Sequence, residues 1–208
     1  MKNLMAKIKN TKTELKAQTD ALKRYQRFLP MLQLKKQQLQ TEIASITAEI
    51  EGVDAEERKW RDSLRPWIGL FATAELPGNL VALKTVKTAT GNIAGVPIPL
   101  YEGIEVERRD IDLYETPAWF DDAAGALENA FTFSARRDVL ERQRALVSEE
   151  LRSTSQRVNL FEKVKIPECR ENIRVIRIHL GDESTAAVAR GKIAKKRGAA
   201  DGEGEATA

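Results

Sequence analysis

The residues best suited to chemistry in this chain are few and stand apart. His179 is the single histidine and Cys169 the single cysteine. A metal site needs several His, Cys or carboxylate ligands at fixed spacing, and no such grouping surrounds either residue. A lone imidazole near a helix end serves more simply as a surface group or a partner of the helix dipole than as a general base. Cys169 has no partner for an intrachain disulfide and reads as a small buried hydrophobe. No G-x-x-x-x-G-K-[ST] run is present, so no P-loop phosphate cradle is expected. The expected catalytic residues, cofactors and metals are therefore none, and the chain reads as a structural component rather than an enzyme.

What remains for function is charge and length. Residues 1–40 hold ten Lys/Arg against two acids, Glu14 and Asp20. Arg190, Lys192, Lys195, Lys196 and Arg197 follow one another near the other end with no acid among them. The whole chain carries only +3, so everything between is net acidic. A basic tip suits an acidic protein socket, an acidic lipid surface or a nucleic acid. Interleaved exposed aromatics would favour single-stranded nucleic acid, and the tip offers only Tyr25 and Phe28.

Positioning comes from heptads. With Ile8 at an a slot, a and d positions run from Leu4 to Trp67, and all are apolar except Thr11, Gln18, Lys36 and Glu57. Leu22, Leu29, Leu32, Leu39, Ile43, Ile46 and Ile50 form its middle. A stripe this narrow at period 3.5 predicts a coiled-coil seam, a helix of roughly 95 Å at 1.5 Å per residue. A second seam begins at the small residues Ala123, Ala126 and Ala130 and continues through Phe133, Leu140, Val147, Leu151, Thr154, Val158 and Phe161. Arg137 and Arg144 interrupt it. The register then resets to Ile166, Cys169, Ile173, Ile176 and Leu180. Val158 to Cys169 spans a heptad with four extra positions, a stutter that locally unwinds a left-handed supercoil. Each helix buries one stripe only, so the two are expected to pair as an antiparallel hairpin, small Ala slots opposite Trp60 and Trp67. Pro30 falls at a solvent-facing b position and Pro167 inside the stutter.

Between the seams, eight Pro and Gly residues from Pro77 to Pro117 rule out continuous helix. Val81, Leu83 and Thr85 alternate with polar neighbours, as do Ile104, Val106 and Arg108. These predict short strands in a hairpin, turning around Thr90-Gly91-Asn92. Thr116 then caps a helix with Pro117 at its first position and Asp121 and Asp122 in its first turns. The expected organisation is an N-terminal coiled-coil helix over 1–70, a β-containing head over 71–116, a C-terminal coiled-coil helix over 117–181, and a basic, then disordered tail over 182–208. The fold class is mainly α: a long antiparallel two-helix left-handed coiled coil with a small β-hairpin-containing central segment. No stretch approaches the ~20 apolar residues of a membrane span. The charged start Met1-Lys2-Asn3 offers no signal peptide, so a cytoplasmic location is expected.

The run Ser153-Thr154-Ser155-Gln156-Arg157-Val158-Asn159-Leu160-Phe161-Glu162-Lys163-Val164-Lys165-Ile166-Pro167, followed by Asn172-Ile173-Arg174-Val175-Ile176, resembles the C-terminal helix of the D subunit of the V-type/A-type rotary ATPases. Asn92-Ile93-Ala94-Gly95-Val96-Pro97-Ile98-Pro99 is similar to that family's central N-x-A-G-V-x-x-P element, and Thr116-Pro117-Ala118-Trp119-Phe120-Asp121 to its T-P-x-W helix start. The likeness covers residues 5–180. Pro30 and the tail from Gly198 depart from the pattern.

The resemblance implies a non-catalytic central rotor shaft that couples ATP synthesis or hydrolysis to ion transport, hydrogen ions included. Implied partners are the A and B subunits of the catalytic hexamer, the F subunit, and the subunit capping the membrane rotor ring. It also implies a place peripheral to the inner or plasma membrane, on its cytoplasmic side, with no direct insertion and no nucleic acid. The expected partner-interface residues are Val81, Leu83, Val86, Ile104 and Val106, where strand edges are free for pairing. The expected seam residues are those named above, from Leu22 to Ile50 and from Val147 to Ile176. The alternative left by composition alone is a free-standing coiled-coil hairpin that binds nucleic acid, or serves as a scaffold, through its basic tip.

Overall fold

The computed structural model describes residues 9–66, 68–69, 80–109, 116–117 and 119–205, with side chains as far as residue 197. The expected slots Leu4, Ile8 and Trp67 lie outside the described residues. The elements are helix α1 (Lys12–Leu64), strands β1 (Val81–Ile93) and β2 (Val96–Arg108), helix α2 (Trp119–Leu160), a five-residue π-helical segment (Phe161–Lys165) and helix α3 (Ile166–Glu205). The protein is mainly helical with one two-stranded antiparallel sheet.

Helix α1 opens on a capping-box sequence, Thr11-Lys12-Thr13-Glu14. The Glu14 N–H donates to Thr11 Oγ1 at 3.2 Å, which satisfies one of the first-turn donors. The helix runs unbroken through Pro30, whose exposed position leaves the apolar stripe intact. Two expected boundaries move. Helix α2 begins at Trp119 rather than Pro117, with Asp121 and Asp122 in its first turn. Helix α3 continues to Glu205, so helix takes in the basic stretch of the tail and reaches into the segment from Gly198 expected to be disordered from its Gly and acidic residues. A helix that is already nucleated propagates cheaply through Ala, Lys and Arg, and here it also carries the scattered glycines.

The stutter takes a specific form. The Ile166 N–H donates to the carbonyl of Phe161, five residues back, where an α-helix would reach four. Pro167 follows at once, and its ring crowds the carbonyl four residues earlier while offering no N–H. A wider turn just before it relieves both problems. The extra seam residues are thus absorbed by a π segment, where supercoil unwinding alone was expected.

Contacts divide the chain into two units, residues 1–33 with 156–208, and residues 34–155. In the first unit, Tyr25 packs against Phe161 with tilted rings whose centroids are 4.9 Å apart, and Asn172 donates to Gln18 at 3.5 Å. In the second, Lys35 meets Glu150 at 2.7 Å, Arg136 meets Glu56 at 3.2 Å, and Trp60 meets Phe133 at 5.5 Å between ring centroids. Within each unit the numbering rises on one helix as it falls on the other, so the pairing is antiparallel in both.

The hairpin turns at Ala94-Gly95, not at Thr90-Gly91-Asn92, which lies inside β1. Ala94 and Gly95 have φ of 50° and 85°, the pair of positive values that a two-residue type I′ turn requires. The Gly95 N–H donates to Asn92 Oδ1 at 2.8 Å and braces it. Gly91 serves another purpose: a Cβ there would stand 2.8 Å from Leu100 Cδ1, so the absent side chain makes room across the strands. Bulges between Leu83 and Thr85, and between Lys87 and Thr88, shift the register along the ribbon.

Two clusters fasten the hairpin to the helices of the second unit. At its turn, Val96 and Ile98 are buried with Leu39, Ile46, Ile50 and Val147, and Ile93 and Ala94 pack against them. At its base, Leu80 and Val81 are buried with Phe120, Ala123 and Ala124. Along α2 the distance from Phe120 to Val147 is about 40 Å at 1.5 Å per residue. A strand of 13 residues spans nearly the same length at ~3.3 Å each. Matched lengths let the ribbon lie along α2 with both ends buried, each fully buried Val or Ile contributing about 1.5–3 kcal/mol.

Candidate functional site: helix seam and strand hairpin

Every a and d slot of α1 from Leu15 to Leu64 is buried or half-buried. Leu39, Ile46 and Ile50 are buried; Leu22, Leu29, Leu32 and Ile43 are half-buried. On the returning helices Val147, Val158, Ile173 and Ile176 are buried, and Leu151 and Phe161 half-buried. Cys169 is buried too, and burial pushes its thiol above the ordinary value, which suppresses the reactive thiolate. His179 is exposed.

The five residues expected to meet a partner are not equivalent. Val81 is inside the cluster with Phe120 and Ala124, and Val106 packs against that cluster, so both are occupied by the chain's own α2. Leu83 is 41% exposed, while Val86 and Ile104 are half-buried cross-strand partners. Alternation in the sequence groups Val81 with Leu83 and Ile104 with Val106, and period 2 by itself cannot say which strand face meets a helix. The ribbon's other surface is charged. Lys87 and Glu105 meet at 2.7 Å across the strands, and Lys84 and Glu107 at 3.3 Å. Their mutual hydrogen bond holds Lys87 above its ordinary range and Glu105 below.

Two polar attachments escaped sequence reasoning. Gln143, buried on α2, donates to the Pro99 carbonyl at 2.6 Å. Arg108, the last residue of β2, grips both carboxylate oxygens of Glu128 on α2 through Nε and Nη2, the latter at 2.7 Å. That forked bond raises the guanidinium and lowers the Glu128 carboxyl. Arg108 also stands 3.6 Å from Asp121. An open groove of about 560 Å³ beside it is lined by Trp60, Trp119, Arg108, Asp121 and Asp122. Neither attachment has a local signal, because each joins residues 20 or 44 positions apart.

Among the described residues no group of three His, Cys, Asp or Glu could hold a metal, and no helix is long and apolar enough to cross a membrane. The fold defines a class: paired long helices with a two-stranded ribbon lashed along one of them. The model of the ATP synthase D-subunit family matches residues 14–196, which take in both seams and the hairpin. The chain belongs to that family. It is 46% identical over 191 residues to the V-type ATP synthase D subunit of Borreliella burgdorferi, covering 92% of this chain and 95% of that protein. Against the proteins of the same description from Chlamydia muridarum and Chlamydia felis, identity is 33% and 30%, covering 93% of this chain and 97% and 95% of theirs.

Proposed function

We propose that this chain is the central rotor shaft of a V-type ATP synthase, a non-catalytic component that carries torque between the A/B hexamer and the membrane ring. The observation that carries this reading is the family match over 14–196 together with a seam covered at every slot of α1 from Leu15 to Leu64. A torque-bearing element needs stiffness along its length and a rotationally uneven surface. Antiparallel helices with a buried Leu/Ile/Val stripe supply the first, and a ribbon attached along α2 supplies the second. In this reading 1–70 and 117–181 are the shaft helices and 71–116 the head. The seam residues from Leu22 to Ile176 keep the shaft together, and the exposed part of the hairpin, Leu83 with the edges of Val86 and Ile104, meets the F subunit or a neighbour. The capping subunit of the membrane ring binds below, and the basic ends stand in the opening of the hexamer. ATP is made or hydrolysed on the A and B subunits, and the chain itself is peripheral to the membrane on its cytoplasmic side.

A probe on an exposed α1 residue tests this directly. With the assembled complex fixed to a surface through its A subunits, a bead on Gln38→Cys, in a Cys169→Ser background, is expected to rotate when ATP is supplied. A bead that stays still while the complex hydrolyses ATP would place the chain in the stator and reject the shaft reading.

A further inference from the structure

Glu57 is the one charged side chain that is buried among the described residues, at 8% exposure, and it occupies an a slot of the apolar seam. Arg137 faces it from the seam of α2, with Nη1 at 3.3 Å from Glu57 Oε2 and 3.7 Å from Asp54 Oδ1. Arg61, one turn along α1, donates to the other oxygen, Glu57 Oε1, at 2.5 Å. Asp54 Oδ1 is buried and accepts no hydrogen bond, so Arg137 is its compensating charge. Two acids and two arginines thus make one neutral layer across the helix pair. On one side of it lie the buried Val53 and Val139, and on the other the Trp60–Phe133 ring pair.

We propose that this layer is an ionic key that fixes the axial register of the two helices, with Glu57 and Arg137 as positioning residues. The proposal rests on the shaft reading for its purpose, though not for its structural content. The aliphatic slots discriminate register only weakly by themselves. Leu39, Ile46, Ile50 and Val53 are close to interchangeable, so sliding one helix by a heptad replaces one aliphatic contact by another. The charged layer is not interchangeable. After one heptad of sliding, Arg137 would face the level of Ile50, so that Asp54 loses its cation and Glu57 keeps only Arg61 of its own helix, or the level of Leu64, where Arg144 takes its place opposite Glu57 and Arg137 is set beside Leu64 and Arg61 with no acid to meet. Polar groups at a seam slot are the known means of specifying register at some expense of stability. In a shaft the consequence is mechanical: helices that cannot slip past each other must turn together.

The test uses the full-length chain with the native cysteine replaced, Cys169→Ser, and spin labels on exposed Glu49→Cys and Arg142→Cys. The parent is expected to give a single narrow distance distribution. Glu57→Leu with Arg137→Leu is expected to keep the helical signal and a thermal midpoint equal to or above the parent's, yet to add populations displaced by about 10 Å, one heptad of rise. A single parental distance in that folded double variant would overturn the key. Arg137→Leu alone, which removes the cation from the buried Asp54 Oδ1 and one of two from Glu57, is expected to lower the midpoint, and an unchanged midpoint would also overturn it. In the assembled complex the double variant is expected to hydrolyse ATP while moving fewer ions per ATP. Register slippage with unchanged coupling would leave the key standing and count against the shaft reading instead.

Discussion

Gln143 Nε2 donates a hydrogen bond of 2.6 Å to the main-chain carbonyl of Pro99, across 44 positions of sequence. Gln143 is 6% exposed, so its amide would be costly to bury without this acceptor. The bond ties β2 to α2 between the two apolar clusters that hold the ends of the ribbon. Gln143→Ala strands the Pro99 carbonyl and opens a gap, and it is expected to cost about 1–3 kcal/mol. Denaturant unfolding should show that loss, with faster hydrogen exchange at the amides of Val96 and Ile98. Unchanged exchange would mean that the apolar contacts alone hold the ribbon.

Arg108 and Glu128 give the attachment of the hairpin base a pH dependence. The hydrogen bond from Arg108 lowers the Glu128 carboxyl below 4.5 in the folded chain. A group whose folded pKa is depressed stabilises the fold above its unfolded value, and that contribution is lost as pH falls through the folded value. Acidification from pH 6 to below 4 is therefore expected to loosen the hairpin base. Glu128→Gln should reduce that part of the acid sensitivity, measured as the difference in thermal midpoint between the two pH values. Identical acid shifts in parent and variant would contradict the assignment.

Pro30 stands at an exposed position inside an unbroken α1, where it supplies no helical N–H. Pro30→Ala restores the donor and removes the ring's clash, and is expected to stabilise the chain by up to about 3 kcal/mol. Calorimetry should show a midpoint several degrees higher. A lower midpoint would mean that the surrounding contacts depend on the proline geometry.

Val158 is 4% exposed on the returning helix, just before the π segment. Val158→Asp buries a charge without a counter-ion and is expected to cost roughly 3–5 kcal/mol. In the assembled complex it should lower ion movement per ATP hydrolysed. Full coupling with this change would show that this stretch does not carry the load.

Much of the helical architecture is legible in one dimension. Leu22 through Ile50 repeat at 3.5 residues, as do Val147 through Val158 and, after the stutter, Ile166 through Ile176, and a stripe of that period has one way to be covered, against a second stripe. The antiparallel sense follows from the chain returning on itself through a segment rich in Pro and Gly. The Asn92 to Pro99 and Ser153 to Pro167 runs resemble the family whose model matches residues 14–196.

Tertiary structure decided what depends on residues far apart. Gly91 and Gly95 are equally plausible as turn glycines, and only strand register, with Val96 and Ile98 drawn to Leu39 and Val147, selects Ala94-Gly95. Val81 and Leu83 share one alternation, yet Phe120 buries the first and leaves the second exposed. Glu57 and Arg137 look like two flaws in separate apolar stripes until antiparallel pairing brings them within 3.3 Å. Periodicity records which residues must leave water, because that is a property of each residue and its near neighbours. Which buried groups then meet is settled only when two distant stretches share one level, and there a pair of flaws becomes a single neutral layer.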